Sequence, residues 1–201
     1  MTSERSERPP RVGEQLSAGL PDQVFVTDGL LTKRVLRAYA LAMLAPLAGE
    51  RLWDLGAGTG SIGIEWCRLH PDNSAVAVER DPERVERIVL NAANLGVADQ
   101  LEVVTGGIAE ALDQLSATPD AVFVGGGVEA TTLRRCWESL PAGGRLVAHS
   151  VTAESDAVLL AARAEWGGEL TRIAVEVAEP IGRLTGFRPF RTVTAWAASK
   201  A

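Results

Sequence analysis

Strand-like runs alternate with amphipathic segments through the middle of the chain, between residues 51 and 166. We predict strands near 51–55, 75–79, 101–104, 120–124 and 144–149, and helices near 61–69, 82–95, 129–140 and 153–166. A repeated order of strand, helix and strand produces right-handed crossovers and a parallel sheet with helices on both faces. The alternation therefore predicts an α/β protein.

The C-terminal part of the chain departs from this alternation. Two strand-like runs, at about 170–178 and 190–198, follow one another without a helical segment between them. The residues between them include Pro180, Gly182 and Gly186, which favour a loop. Strands that are joined only by a loop pair in the antiparallel direction. We therefore predict a seven-stranded, Rossmann-like, mostly parallel sheet with an antiparallel C-terminal hairpin.

The N-terminal residues show a different pattern. Residues 1–19 are rich in Ser, Glu, Arg, Pro and Gly and have no apolar period. Such a segment cannot bury enough apolar surface to offset the entropy lost on ordering. We predict a flexible arm over residues 1–19 and one domain over residues 20–201. Apolar residues at helical spacing between Thr32 and about Ala45 predict a further helix before the first strand.

Charge and composition exclude several classes of partner. The 201 residues include 26 acidic and 20 basic side chains, which gives a formal net charge of −6. An acidic surface disfavours the phosphates of nucleic acids. The longest uncharged run, 38–49, is shorter than the roughly 20 apolar residues of a membrane-spanning helix. Cys67 and Cys136 lack the spacing of metal ligands and suit a reducing compartment. We predict a cytoplasmic protein without a nucleic-acid partner, a membrane span or a metal site.

The most informative local motif is the run Asp54-Leu55-Gly56-Ala57-Gly58-Thr59-Gly60, where the first strand turns into a helix. Glycines at such a turn allow backbone N–H groups to approach a ligand closely. Glu79 ends the second strand about 20 residues later, where a carboxylate can accept hydrogen bonds from both hydroxyls of an adenosine ribose. The motif predicts a nucleoside ligand, and a tight turn without a ligand is the alternative.

Three features favour S-adenosylmethionine over NAD as this ligand. Asp54 can meet an ammonium group, whereas it would repel a pyrophosphate. A structural role for Asp54, as a cap of the loop, is the alternative. The turn at residues 140–144 and the antiparallel C-terminal hairpin are the second and third features, and both resemble class I S-adenosylmethionine-dependent methyltransferases. This resemblance covers about residues 30–199.

Three segments resemble a narrower family, the precorrin-6Y (cobalt-precorrin) C15-methyltransferases of corrin ring synthesis. They are residues 19–25 (GLPDQVF) with the later Thr32-Lys33, the glycine loop followed by Glu65, and residues 120–127 (DAVFVGGG). The resemblance implies methylation of a reduced tetrapyrrole, a precorrin or cobalt-precorrin, at C15 with loss of the carboxylate of the C12 acetate side chain. It also implies a homo-oligomer, with a tetramer as the family's example. Whether the chain stands alone or belongs behind a C5-methyltransferase domain, and whether the acceptor ring already carries cobalt, stay open.

The resemblance also implies a set of cofactor contacts. Gly56 to Gly60 would surround the methionine part, Glu79 would bind the ribose and Ile108 would lie beside the adenine. The complete set of cofactor-binding candidates is Thr32, Asp54, Gly56, Ala57, Gly58, Thr59, Gly60, Glu79 and Ile108. Thr32 could cap the following helix instead, or do both. Glu65, in the helix after the glycine loop, is expected to face solvent.

Basic residues near the C-terminus suggest where the substrate binds. Arg183, Arg188 and Arg191 lie in a stretch, 180–199, that contains no acidic residue. We hypothesise that these guanidiniums, together with Lys33 and Arg34, bind the carboxylates of the tetrapyrrole, because arginine binds carboxylates bidentately. An ordinary solvated loop is the alternative.

His149 follows the fifth strand, at the sheet edge where open α/β proteins bind ligands. It is a candidate substrate contact and a candidate base, and a structural role is the alternative. No other residue is predicted to be catalytic. The competing functions are an RNA or protein methyltransferase of the same fold and an NAD-binding dehydrogenase. The acidic balance disfavours RNA, and the missing N/D-P-P-Y-type motif after the fourth strand disfavours amino-group methylation.

Overall fold

The computed structural model describes residues 17–201, so most of the predicted N-terminal arm lies outside the described residues. A short 3₁₀ helix at Asp22–Val24 precedes the first α-helix. The remaining elements follow in the order α1 (Arg34–Leu44), β1 (Arg51–Leu55), α2 (Ser61–Leu69), β2 (Ser74–Glu79), α3 (Pro82–Asn94), β3 (Leu101–Thr105), α4 (Ile108–Leu112), β4 (Ala121–Val124), α5 (Ala130–Ser139), β5 (Arg145–Ser150), α6 (Ala153–Trp166), β6 (Glu169–Ile173), β7 (Glu176–Ile181), β8 (Leu184–Pro189) and β9 (Val193–Ser199).

Seven of the described strands form one sheet, in the order β3-β2-β1-β4-β5-β9-β6. Strands β1 to β5 are parallel, and β9 lies antiparallel between β5 and β6. All residues of β4 are buried, as are most of β1, which is typical of central strands with helices on both faces. The predicted fold class, a Rossmann-like, mostly parallel seven-stranded sheet with antiparallel C-terminal strands, is confirmed.

Helices cover both faces of this sheet. Helices α1, α2 and α3 pack on one face, where Leu41, Ile62 and Ile88 belong to a single buried apolar cluster. Helices α4, α5 and α6 pack on the other face, where Leu133 and Leu159 are buried. Each such side chain stabilises the fold by about 1.5–3 kcal/mol when it leaves water. With both faces covered, the C-terminal ends of the strands are left as the accessible edge for a ligand.

The C-terminal hairpin is correct in direction and wrong in detail. β6 and β9 pair antiparallel, with Ile173 opposite Val193. The predicted run 170–178, however, is divided between β6 and β7. The predicted loop lies largely inside a second, two-stranded sheet of β7 and β8, which places Pro180 opposite Thr185. Proline resembles a strand breaker in sequence but is tolerated in an edge ribbon, where its missing N–H is not needed.

The β7–β8 ribbon carries exposed apolar side chains near its turn. Ile181, Leu184 and Phe187 are 64%, 76% and 69% exposed. Ile181 pairs with Leu184 across a two-residue turn, in which Gly182 has a φ of +60°. Such a turn closes a β-hairpin tightly. None of the helices in residues 17–201 is long and apolar enough to cross a bilayer.

Candidate active site

An open cavity of about 920 Å³ lies at the C-terminal ends of the parallel strands. Its wall is formed by residues that follow β1, β2, β3 and β4 and by the end of β5. Residues 29–33 and 188–191, together with Val193, complete it. We refer to residues 19–33, which precede α1, as the roof segment. Ligands of open α/β sheets bind at this edge, so the cavity coincides with the place where the fold predicts a site.

The loop after β1 depends on glycines with a left-handed backbone. Gly56 and Gly60 have φ values of +71° and +74°. A Cβ atom on Gly60 would lie 2.8 Å from Cγ2 of Ile88 in α3, so Gly60 serves the packing of α2 against α3. Gly60 itself does not line the cavity. The residues of the loop that do line it are Gly56, Ala57, Gly58 and Thr59.

The glycine loop also lies directly against the loop after β4. A Cβ atom on Gly56 would be 2.9 Å from the carbonyl oxygen of Gly126 and 3.1 Å from its nitrogen. The N–H groups of Gly56 and Ala57 donate to the carbonyl of Val78 in β2, at 2.9 and 3.0 Å. Three neighbouring strand ends are thereby joined at the cavity. This close backbone approach explains the glycine at position 56, and it also restricts position 125, where a Cβ atom would lie 3.2 Å from the carbonyl oxygen of Gly56.

Glu79 is held at the cavity wall by three backbone donors. Its Oε2 accepts from the N–H of Gly58 at 2.9 Å, and its Oε1 accepts from those of Arg80 and Asp81 at 2.9 and 3.0 Å. The residue is 5% exposed and lines the cavity. These bonds fix the carboxylate beside the glycine loop, in an orientation that can accept ligand hydroxyl groups. The position agrees with the predicted ribose contact.

Asp54 lies behind the glycine loop, outside the cavity lining. Its Oδ2 accepts from the N–H of Gly63 in α2 at 2.9 Å, and its Oδ1 has no hydrogen-bond partner among the described residues. Burial raises the pKa of Asp54 to about 7, opposed by the Gly63 hydrogen bond and reinforced by the charge of Glu79. The hydrogen bond from Gly63 supports the structural role, and the contact with a ligand ammonium group stays a prediction.

Thr32 and Ile108 both line the cavity, on different walls. The alternative role of Thr32 as a helix cap is wrong. Lys33 holds the N-cap position of α1, and it is the side chain of Asp22 that accepts from the N–H of Arg34, the first residue of this helix, at 2.9 Å. Ile108 begins α4, a helix that the sequence pattern did not predict. Its Cδ1 would lie 3.4 Å from a Cβ atom on Gly127. Ile108 is therefore next to the loop that follows β4.

A buried ion pair that sequence reasoning missed holds the roof segment. Arg37 in α1 is fully buried, and its Nε donates to Oε1 of Glu65 in α2 at 2.7 Å. Its other nitrogens donate to Asp22 and to the carbonyls of Leu20 and Thr32. Glu65, expected to face solvent, is only 2% exposed, because its carboxylate also accepts from the backbone of the roof segment.

The residues of this network stand out in the sequence, but they lie in separate segments, so nothing in the sequence pairs them. Arg37 occupies what resembles the polar face of an amphipathic helix. Its partners Asp22 and Glu65 lie in two separate segments of the family resemblance. A second ion pair, from Nε of Arg84 to Oδ2 of Asp28 at 2.9 Å, ties the roof segment to α3. The roof segment is therefore attached to three helices around the cavity.

His149 lines the cavity from the end of β5 and is 7% exposed. Its ring meets that of Phe123 edge to face, with centroids 5.1 Å apart. Its Nε2 has no hydrogen-bond partner among the described residues. Burial lowers the pKa of His149 to about 4. The imidazole is therefore neutral at neutral pH, and it keeps unused hydrogen-bonding capacity next to the cavity.

Only some of the predicted basic substrate contacts reach the cavity. Lys33, Arg188 and Arg191 line it. Arg183 does not, because it lies in the turn between β7 and β8, at the opposite end of the ribbon from Arg188. The prediction for Arg183 is therefore corrected. Arg183 is close to Arg188 in sequence, which suggested that the two side chains are also close in space. In an extended strand, however, each residue advances the chain by about 3.3 Å, so the two arginines lie at opposite ends of the ribbon.

Comparison with known proteins agrees with this architecture. The family described as "Precorrin methyltransferase domain" matches residues 23–200. A "Precorrin-6Y C(5,15)-methyltransferase [decarboxylating]" from Mycobacterium tuberculosis is 45% identical over 188 residues, which cover 93% of this chain and 47% of that protein. The chain thus spans about half the length of this relative.

Two further proteins match this chain over almost their whole length. A "Probable cobalt-precorrin-6B C(15)-methyltransferase (decarboxylating)" from Pyrobaculum calidifontis is 35% identical over 188 residues, with 89% of this chain and 96% of that protein covered. The crystal structure of the C-terminal domain of precorrin-6Y C5,15-methyltransferase from Rhodobacter capsulatus superposes with a TM-score of 0.87 at 39% identity. It covers 92% of this chain and 100% of that chain. The resemblance predicted from the three sequence segments is confirmed, and the chain belongs to the precorrin methyltransferase domain family.

Proposed function

We propose that this chain is an S-adenosylmethionine-dependent methyltransferase that acts at C15 of a precorrin or cobalt-precorrin. In the proposed reaction, the C12 acetate side chain of the substrate loses its carboxylate, as a step of corrin ring synthesis. The observation that carries the proposal is the shared cavity, which joins the glycine loop and Glu79 to a basic opening formed by Lys33, Arg188 and Arg191. The names of relatives that match the chain support the same chemistry.

The residues at the cavity fit S-adenosylmethionine. A Cβ atom on Gly58 would have only the carbonyl oxygen of Leu30 within 4 Å, at 3.7 Å, so this position leaves room for a ligand against the backbone, and the N–H of Gly58 holds the carboxylate of Glu79. Across the cavity, Ile108 offers an apolar surface for a purine. When bound, the cofactor supplies an electrophilic methyl group on a sulfonium. The protein's own contribution is to hold the acceptor carbon in line with that methyl, and positioning alone can supply much of the acceleration.

His149 is proposed to contact the substrate as a neutral group. A neutral imidazole does not repel a cationic sulfonium, and its unpartnered nitrogen can hydrogen-bond to the macrocycle. We expect His149→Ala to raise the KM for the tetrapyrrole and to leave the Kd for S-adenosylmethionine within about two-fold. An unchanged KM would show that the ring serves only to pack against Phe123.

The exposed ribbon supports a proposal about assembly. We propose a homo-oligomer, with a tetramer as the state suggested by the family resemblance, in which the apolar turn residues Ile181, Leu184 and Phe187 are covered by further copies. Light scattering of the purified chain and of Leu184→Asp tests this. A monomeric wild-type chain would refute it. The C5 methylation in the names of the longer relatives is expected to belong to a separate domain, because this chain spans only about half of them.

The deciding experiment is mass spectrometry of reactions with the precorrin substrate and with its cobalt-containing counterpart. The proposal requires the product to have gained one methyl group and lost one CO₂. Methyl gain without loss of CO₂ would restrict the function to methylation. Calorimetry with S-adenosylmethionine and NAD is the companion measurement. Binding of NAD without binding of S-adenosylmethionine would favour the dehydrogenase alternative.

A further inference from the structure

Two cations converge on one aromatic ring at the opening of the cavity. Nζ of Lys33 lies 5.6 Å from the ring centroid of Phe190, and Cζ of Arg188 lies 5.5 Å from the same centroid. Both distances fall within the range of cation–π attraction. Arg191 follows Phe190 and also lines the cavity. We refer to Lys33, Arg188, Phe190 and Arg191 as the cationic mouth.

The composition of the cationic mouth indicates an anionic ligand. Like charges that share one ring repel each other, and the repulsion is relieved when an anion lies between them. Neither Lys33 nor Arg191 forms an ion pair with any residue of the described chain, 17–201. Two of the three cations therefore have charge available for a ligand.

Arg188 already holds a carboxylate of the protein. Its Nε lies 2.6 Å from Oε2 of Glu179. Val177 is the direct cross-strand partner of Arg188, so Glu179 is its diagonal neighbour on the β7–β8 ribbon. The two side chains are 55% and 43% exposed. Glu179 lies outside the cavity lining, whereas Arg188 is part of it.

This arrangement makes Glu179 a competitor for any ligand carboxylate. An exposed ion pair changes an equilibrium constant by at most about five-fold, so the pair is weak enough to exchange. A substrate carboxylate that also meets Lys33 and Arg191 has more positive charge to bind than Glu179 has. The carboxylate of Glu179 then returns to water at little cost, because it is already half-exposed.

We propose that the cationic mouth is the carboxylate-recognition site for the tetrapyrrole and that Glu179 holds Arg188 until a substrate carboxylate displaces it. The proposal rests on the proposed function and adds to it the residues that recognise the substrate and an internal competitor. The ring of Phe190 lies within cation–π distance of the ammonium group of Lys33 and the guanidinium of Arg188, and it orients both. Removal of the competing acid therefore strengthens substrate binding, although it removes a contact of the folded protein.

The experiment measures porphyrin affinity with uroporphyrin, which carries a carboxylate on every peripheral side chain, and with coproporphyrin, which carries half as many. Fluorescence titrations are made on the full chain with saturating S-adenosylhomocysteine. We expect Glu179→Gln to tighten uroporphyrin binding by roughly two- to five-fold and Arg188→Gln to weaken it by roughly ten-fold. In the double variant, Glu179→Gln has no remaining effect. With coproporphyrin, we expect the variants to rank in the same order of affinity, with smaller differences between them.

Arg183→Gln is the matched control, because it removes one arginine from the same ribbon at a position outside the cavity. It leaves the affinity within about two-fold. Equal losses in Arg183→Gln and Arg188→Gln would show a general charge effect and overturn the site. Unchanged or weakened binding in Glu179→Gln would overturn the competitor. All these side chains are exposed, and circular dichroism of each variant verifies the fold.

The failure of this proposal is distinguishable from failure of the proposed function. The function is judged by methyl transfer and loss of CO₂ in the wild-type chain, which do not depend on the variant series. If the variants bind porphyrin with the predicted order of affinities but the wild-type chain transfers no methyl group, the carboxylate site is supported and the proposed function is overturned. If the wild-type chain transfers the methyl group but the affinities of the variants do not follow the predicted order, the function is supported and the carboxylate site is overturned.

Discussion

Arg37 and Glu65 form a buried ion pair, with 2.7 Å between Nε and Oε1, that joins α1 to α2 beneath the roof segment. Neither side chain is more than 2% exposed. Removal of one partner would leave an uncompensated charge in the interior, so we expect Arg37→Met to lower the free energy of unfolding by about 3–5 kcal/mol. Urea denaturation measures this change.

The matched control for this pair replaces both residues. Arg37→Met combined with Glu65→Leu leaves no unpaired charge, so it should recover part of the lost stability. Asp22 and the roof carbonyls lose their donor in both variants, and their contribution therefore cancels in the comparison. A double variant that is less stable than Arg37→Met would show that the backbone contacts of Glu65 matter more than its pairing with Arg37.

Glu79→Gln tests the ribose contact. The amide keeps one acceptor oxygen but loses the second and the charge, so a ligand that hydrogen-bonds through both hydroxyls binds less tightly. We expect the Kd for S-adenosylmethionine to rise by roughly ten-fold or more, because hydrogen bonds to charged groups contribute about 1.5–3 kcal/mol. Calorimetry measures it. Glu86→Gln, on the exposed face of α3, should leave the Kd unchanged. Equal effects of the two substitutions would contradict the assignment.

Gly56→Ala tests the close approach of the two glycine loops. The new Cβ would meet the carbonyl oxygen of Gly126 at 2.9 Å in a left-handed backbone. We expect a loss of stability of about 1–3 kcal/mol, measured by thermal unfolding. Gly126→Ala is the control, since a Cβ there has no atom within 4 Å. Comparable losses in both variants would show that the approach is not the cause.

Asp54→Asn tests the buried carboxyl group through the dependence of stability on pH. The pKa of Asp54, about 7 in the folded protein, is raised above its usual value near 3.8. The folded state therefore binds more protons than the unfolded state between these values, and wild-type stability should fall as pH rises from about 4 to about 7. Asn keeps an acceptor for the N–H of Gly63 and cannot titrate.

The measured quantity is the wild-type free energy of unfolding minus that of Asp54→Asn, followed across this pH window. This difference removes the contributions of the other titrating groups. A difference that stays constant from pH 4 to pH 7 would show that Asp54 keeps its usual pKa.

The parallel core and much of the cavity lining were predictable from sequence because both depend on local patterns. The strands β1 and β4 and most of the helices between them are predicted by the spacing of apolar residues along the chain. Gly56, Gly58 and Glu79 follow from the geometry that a strand-to-helix turn requires. In contrast, the division of the run 170–178 into β6 and β7 depends on where each strand finds a partner, and no local pattern encodes that.

The α/β order, the glycine loop and the family could all be recognised before the fold was known, since each depends on residue types and their spacing along the chain. Three features emerge only in the folded molecule: Arg37 is buried, Asp54 accepts a hydrogen bond from Gly63 in α2, and Arg188 reaches the cavity while Arg183 does not. All three have the same cause. The environment of a charged side chain is set by residues distant in sequence, such as Glu65 for Arg37, and these come together only when the chain folds.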